Sequence, residues 1–167
     1  MPWQARYAIG IRALDLDHQL LCQTLDTLLE ALRSGGSARV VEDTIEVLRA
    51  YATEHFRREE EVMRAVRYPE LAAHVAEHDA FRRKALELDL ARRQSTLAAS
   101  EVVRYLIEWL PSHIGGADAQ IVPYVRSHLA KNPGAFAPRP VERSNTLPRP
   151  EPAPDDPSHP RDAPPKH

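Results

Sequence analysis

The chain is poor in the residues from which several common kinds of protein are built. It has one cysteine, Cys22, in 167 residues, which excludes an internal disulfide framework and a cysteine-rich metal site. No apolar run reaches the roughly 18 residues that a transmembrane helix needs. The first residues also lack the apolar stretch and small-residue cleavage site of a secretory signal peptide. We therefore expect a cytoplasmic protein without a membrane-inserted segment, in which Cys22 is a buried small apolar residue.

The chain also lacks an excess of charge of one sign. Its 22 Lys and Arg residues are interspersed with 24 Asp and Glu residues, which gives a net charge of -2 with His neutral. A protein that binds nucleic acid or an anionic membrane through its charge normally presents a large basic field. We therefore expect neither partner for this chain.

The composition changes sharply near Asn132. Eleven of the fifteen prolines lie between this residue and the end of the chain, among Arg, Asp, Glu and Ser. Such a segment buries too little apolar surface to offset the entropy lost on ordering. We predict a folded domain over residues 1–131 and a disordered proline-rich tail over 132–167. A protein partner of the tail stays open, and we assign no site role to His159 and His167.

Before Asn132, apolar residues recur every three or four positions, which predicts amphipathic helices. We place four helices at about residues 14–32, 39–66, 69–93 and 97–129. No alternating pattern typical of a strand persists in this region. Four such helices with short connections predict an all-α fold, an up-down-up-down antiparallel four-helix bundle. Residues 1–13, with Trp3 and Tyr7, are expected to form an N-terminal arm that packs on the bundle.

Each predicted helix carries metal-ligand residue types within its apolar stripe. Residues four apart on a helix are neighbours on one face, so two such side chains can converge on one metal. One such pair alone is common on solvated helix faces, but here all four helices carry these types in phase with the core. The set is His18, His55, Glu59, His74, His78, His113 and Asp118.

The number and chemistry of these donors indicate the kind of metal site. A carboxylate inside a bundle must be paired, neutralised or bound to a metal. Seven donors are too many for one four-coordinate zinc ion, and they suit two metals that share bridging carboxylates. Imidazole and carboxylate ligands without thiolate favour iron, and after it manganese.

The pair on the fourth helix requires a local distortion. His113 and Asp118 are five residues apart, a step of about 140° on an ideal α-helix. Gly115 and Gly116 lie between them, and Pro111 upstream lacks the N–H of a helix hydrogen bond. We predict a kinked or loosened turn around residues 111–118 that directs both side chains towards the metals.

At this point the residues resemble a known family, the hemerythrins, and in particular the bacterial single-domain hemerythrins. The resemblance covers about residues 3–128 and rests on four segments. The first runs from Trp3 through Tyr7 and Gly10 to His18. The others are His55-Phe56-Arg57-Arg58-Glu59-Glu60…Met63, Tyr68-Pro69…His74…His78-Asp79…Phe81, and Trp109-Leu110…His113-Ile114…Asp118.

The resemblance implies a division of roles within the site. Two iron ions, Fe2+ or Fe3+, would be joined by an oxo or hydroxo bridge and by Glu59 and Asp118. One iron would take three histidines, and the other would take two and bind dioxygen at its open position. The three-histidine set is His74, His78 and His113, and the two-histidine set is His18 and His55. The oxygen pocket would be lined by Leu21, Trp109, Leu110 and Ile114. Asp17 departs from the family's usual Gln or Glu, and it either accepts a hydrogen bond from imidazole or faces solvent.

Three functions fit these residues. The first is a reversible dioxygen carrier, store or delivery protein, which is not an enzyme. The second is a di-iron oxidase or peroxidase, but such bundles typically use carboxylate-rich ligands with Glu-x-x-His pairs, and this ligand set contains no such pair. The third is an oxygen or redox sensor that acts through its tail. The five neutral imidazoles favour reversible binding.

Overall fold

The fold is entirely helical in the part of the chain that the structure, a computed structural model, describes: residues 3–35 and 38–137. No strand occurs among these residues. No helix in the same ranges is long and apolar enough to cross a membrane. The α-helices are α1 (Arg12–Ser34), α2 (Ala38–Ala50), α3 (Phe56–Ala65), α4 (Leu71–Arg93), α5 (Ala99–Ser112) and α6 (Val122–Lys131).

These segments join end to end into four long rods. A π-helical turn, Tyr51–His55, connects α2 to α3. A second π-helical turn, His113–Ala117, and a short 3-10 turn, Asp118–Gln120, connect α5 to α6. Helix α1 packs against α2 and α5, and α2 packs against α4. The predicted antiparallel four-helix bundle is therefore confirmed, with two of its four rods locally widened.

Apolar side chains form two buried clusters at different heights in the bundle. The larger cluster contains Leu21, Leu48, Phe81 and Leu106, and the smaller one contains Leu14 and other residues near the opposite end. Along α1, His18 lies between Leu14 of the smaller cluster and Leu21 of the larger one. The ligand-type residues therefore occupy a polar layer with an apolar cluster on either side. Cys22 belongs to the buried interior, as predicted.

The N-terminal arm packs on the bundle, as predicted. A 3-10 turn at Ala5–Tyr7 places Tyr7 and Ile9 in the interior, each 2% exposed. The Ile9 N–H donates to Asp15 Oδ1 at 2.7 Å and so fixes the arm to the start of α1. At the other end the described chain continues past Lys131 to Ala137, and Phe136 packs on the smaller cluster. The remainder of the predicted tail, residues 138–167 with both its histidines, lies outside the described residues.

Candidate metal centre

All seven predicted ligand residues converge on one buried layer of the bundle. Their side chains come from all four rods, and none is more than 3% exposed. Two subsets each bring one candidate ligand atom per residue within 4.8 Å of one another. The subsets are Glu59 with His74, His78 and His113, and Glu59 with His18 and His55.

The three-histidine half is arranged around one oxygen from each carboxylate. His78 Nε2 lies 3.1 Å from Glu59 Oε2. His74 Nε2 and His113 Nε2 lie 3.3 Å and 3.2 Å from Asp118 Oδ1. Three imidazole nitrogens and two carboxylate oxygens therefore face a common centre.

The two-histidine half lies on the other side of the same carboxylates. His18 Nε2 lies 3.1 Å from His55 Nε2, and 3.3 Å from Asp118 Oδ2. His55 Nε2 lies 3.7 Å from Glu59 Oε2. Asp118 thus directs one oxygen to each half, and Glu59 lies between them.

Most of the polar atoms at the centre lie close to one another but are not joined by hydrogen bonds among the described residues. Both oxygens of Glu59 and of Asp118 are buried without a hydrogen bond. The same holds for the Nε2 atoms of His74, His78 and His113. A buried polar atom left unpaired costs about 1–3 kcal/mol, and more when charged. Such a set of inward-facing lone pairs fits bound cations, so the residues present fit a metal centre.

Outer hydrogen bonds orient the imidazole rings. Four of the five rings direct Nδ1 at an oxygen, which leaves Nε2 free to bind a metal. The partners are the Tyr7 carbonyl for His18, Asp17 for His55, Glu60 for His78 and Glu77 for His113, at 2.8–3.2 Å. Sequence reasoning missed Glu60 and Glu77, although both are acidic residues within a turn of a predicted ligand.

Asp17 accepts a hydrogen bond from an imidazole ring, as one of the two predicted alternatives stated, but the ring is that of His55. It accepts a hydrogen bond from His55 Nδ1 at 3.1 Å rather than from its neighbour His18. Arg58 donates to the same Asp17 oxygen at 2.6 Å. The carboxylate is 24% exposed, so an ion pair at the surface of the bundle holds a buried imidazole.

The two π-helical turns deliver ligands from the widened rods. In the second turn the Asp118 N–H donates to the His113 carbonyl, five residues earlier. Such a bond widens the helix, so that a five-residue step completes about one turn. The predicted loosening between residues 111 and 118 is confirmed, and Pro111 itself lies within α5. A Cβ on Gly115 would lie 3.2 Å from the Tyr7 ring, so this turn needs glycine for close packing.

Burial and neighbouring charges shift the pKa values of the site residues in different directions. Burial lowers the pKa of His18 to about 4 and of His113 to about 2. Burial alone would lower the pKa of His74, but the close Asp118 and Glu59 carboxylates raise it to about 10. Burial and the Glu59 charge raise the pKa of Asp118 well above its usual value. His18 and His113 are therefore neutral at neutral pH, as metal ligands must be.

The pKa of the Glu59 carboxyl is shifted in the opposite direction to that of Asp118. Burial alone would raise its pKa, but the close His74 and His78 imidazoles lower the pKa of Glu59 well below its usual value. Glu59 is therefore ionised before any metal arrives. In the metal-free chain this charge is paired with protonated His74, and a bound cation would take the place of that proton.

Aromatic rings wall the ligand layer. Phe56 stacks on His78 with ring centroids 3.8 Å apart, and Trp109 stacks on His113 at 4.3 Å. Tyr51 stacks on His55 at 4.2 Å. Of the predicted oxygen-pocket residues, three are fully buried in the larger cluster and Trp109 packs against it. The three are Leu21, Leu110 and Ile114.

The fold and the site together define a class of protein, the helical bundles that hold metal ions with histidine and carboxylate and without haem. Comparison with known proteins agrees: the Hemerythrin HHE cation binding domain matches residues 9–125. The chain belongs to the hemerythrin family.

Individual relatives are similar over most of their length. A bacteriohemerythrin of Stenotrophomonas maltophilia (strain R551-3) is 34% identical over 129 residues, which cover 77% of this chain and 84% of that protein. One of Pseudomonas paraeruginosa (strain DSM 24068 / PA7) is 27% identical over 148 residues, 86% and 96% of the two chains. A crystal structure of wild-type hemerythrin superposes with a TM-score of 0.64 at 22% identity, over 75% of this chain and 97% of that one. This last likeness supports the fold.

Proposed function

We propose that this chain binds dioxygen reversibly at a pair of iron ions and acts as an oxygen carrier, store or delivery protein. The observation that carries the proposal is the arrangement of three imidazoles and two imidazoles around the buried carboxylates of Glu59 and Asp118, whose oxygens make no hydrogen bond among the described residues. When bound, the iron pair would supply the electrons that hold dioxygen reversibly. The bacteriohemerythrins similar to this chain support this assignment.

The proposed ligand sets follow the two halves of the site. His74, His78 and His113 would hold one iron, and His18 and His55 the other. Glu59 and Asp118 would bridge them, because their oxygens face both halves. The half with fewer imidazoles would leave room for dioxygen to bind.

Buried apolar side chains exclude water from the proposed dioxygen position. Leu21, Leu110 and Ile114 are 0% exposed and belong to the larger apolar cluster. Exclusion of water limits proton-dependent side reactions of bound oxygen. Five imidazoles against two carboxylates also place less negative charge on the metals than the carboxylate-rich sets of oxygen-activating bundles. Both features favour release of dioxygen over its consumption.

Iron content and oxygen cycling test the proposal. The full chain, loaded with ferrous iron without air, is expected to contain two irons. It should gain a visible spectrum in air and lose it under argon, over repeated cycles. Net consumption of dioxygen without recovery under argon would favour the oxidase or peroxidase instead.

Single substitutions test the ligand assignment. His74→Ala and Glu59→Ala should each lower the iron content well below two per chain, because each removes a donor that faces the centre. His128→Ala is the matched control, since His128 packs on Phe136 away from the site, and it should keep both irons. Full iron retention by the two site variants would show that these residues are not ligands.

A further inference from the structure

The hydroxyl of Tyr51 is a buried donor without a partner in the site region. Its oxygen is inaccessible to solvent and makes no hydrogen bond to any described residue. The whole residue is 6% exposed. A tyrosine hydroxyl is protonated at neutral pH and normally finds a partner when buried. An orphaned hydroxyl in the interior therefore requires an explanation.

The Tyr51 ring belongs to the two-histidine half of the site. It stacks on His55 with centroids 4.2 Å apart and planes 14° apart. Its centroid lies 6.4 Å from the His18 ring. No ring contact joins it to the three other histidines among the described residues. The π-helical turn that begins at Tyr51 places both this ring and His55 in the interior.

The surroundings of Tyr51 are those of the proposed oxygen pocket. Trp109 meets it edge to face at 6.3 Å, and both rings border the cluster that contains Leu21 and Leu110. Burial, with the charges of Asp118 and Glu59, raises the pKa of Tyr51 well above its usual value, so its hydroxyl stays protonated. Leu21 and Leu110 offer a small ligand no hydrogen bond, whereas the buried Tyr51 hydroxyl is a donor with no partner among the described residues.

We propose that Tyr51 donates a hydrogen bond from its hydroxyl to a small ligand held at the His18–His55 half of the site. The ligand class is a diatomic or triatomic molecule with an electron-rich terminal atom, such as dioxygen or azide. The pocket is then amphipathic rather than wholly apolar. For dioxygen this rests on the proposed function, whereas for azide it requires only that the site holds iron.

The test compares Tyr51→Phe with Tyr105→Phe in the iron-loaded full chain. Both changes remove one hydroxyl and keep the ring. Tyr105 contacts Phe81 and no ligand-type ring among the described residues. Azide is titrated into the oxidised protein, and the ligand's vibrational frequency is recorded in H2O and D2O. Dioxygen release from the reduced protein is followed separately.

The expected results are specific to the hydroxyl. Tyr51→Phe should keep both irons and raise the azide dissociation constant about tenfold, which is 1.4 kcal/mol and typical of a hydrogen bond near a charge. Dioxygen should leave about tenfold faster. The D2O shift of the ligand vibration should be present in the original chain and in Tyr105→Phe, and absent in Tyr51→Phe.

The contrary outcomes separate this inference from the proposed function. Unchanged azide affinity and D2O shift in Tyr51→Phe would overturn the inference even if dioxygen cycling succeeds. Loss of iron in Tyr51→Phe would overturn it too, because Tyr51 would then act through His55. Azide affinity that depends on Tyr51 in a chain that does not release dioxygen would support the inference and overturn the carrier function.

Discussion

Replacement of Asp118 by asparagine separates what this carboxylate contributes to metal binding from what it costs the fold. Both of its oxygens are buried without a hydrogen bond to the described residues. Burial, together with the Glu59 charge, raises the pKa of Asp118 well above 3.8. Asparagine has nearly the same shape and carries no charge, so it removes the electrostatic cost while the packing remains.

The sign and the upper limit of the effect follow from proton linkage. Below pH 3.8 Asp118 is protonated in the folded and unfolded chains, and its burial costs nothing electrostatic. Above that pH the unfolded chain releases the proton and the folded chain retains it, so stability falls by about 1.4 kcal/mol per pH unit. At pH 7 the loss is at most about 4 kcal/mol. His74 loses part of its favourable pairing in the variant, so we expect metal-free Asp118→Asn to be about 1–3 kcal/mol more stable at pH 7.

The assay is chemical unfolding of the metal-free full chain between pH 5 and pH 8, followed by far-ultraviolet circular dichroism. The original chain should lose stability more steeply with rising pH than Asp118→Asn does. Asp43→Asn is the control, because its carboxylate lies at the surface beside Arg39 and should change stability by less than about 0.5 kcal/mol. In the presence of iron, Asp118→Asn should bind fewer than two ions. A variant that is less stable than the original chain at pH 7, with the same pH dependence, would refute the reasoning.

Two further predictions concern the supports of the site. Gly115→Ala should lower the melting temperature by about 2–4 °C, the shift for roughly 1 kcal/mol in a chain of this size, because its Cβ would press on Tyr7 at 3.2 Å. Gly116→Ala meets nothing within 4 Å and should be neutral or stabilising, so equal destabilisation by both would contradict this packing argument. Asp17→Asn should weaken metal retention about tenfold in competition with a chelator, because it removes the charge that pairs with His55 and Arg58. Unchanged retention would show that this ion pair does not hold the ligand.

The residues of the ligand layer could be predicted from the sequence because they recur along each helix with the same three- or four-residue spacing as the buried apolar residues. His55 and Glu59, and likewise His74 and His78, are four residues apart and in phase with buried apolar neighbours. Their convergence therefore follows from helix geometry and burial alone. The turn between His113 and Asp118 was predictable for a related reason, since glycines and an awkward five-residue step coincide there.

Other parts of the site depend on packing that no local pattern specifies. The first π-helical turn, Tyr51–His55, contains neither glycine nor proline, so nothing in the sequence distinguishes it from ordinary helix. Asp17 meets His55 across 38 residues, a contact that depends on how α1 and the turn Tyr51–His55 are set against each other. The sequence likewise gives Tyr51 no feature that separates it from other aromatic core residues. Only the packed bundle shows that its hydroxyl is buried without a hydrogen-bond partner among the described residues.

The two widened turns each accommodate one residue more than regular α-helix would in the same height of rod. Deletion of one residue between Tyr51 and His55 would restore regular α-helix, because four residues then complete about the turn that five complete in the widened form. The core residues of α2 and the ligands of α3 would still face the same interior. Deletion of two residues would instead rotate one part of the rod against the other by about 100° and should abolish metal loading. Among relatives of this chain, length differences of one residue are therefore expected at these turns, and larger differences in the connections between rods.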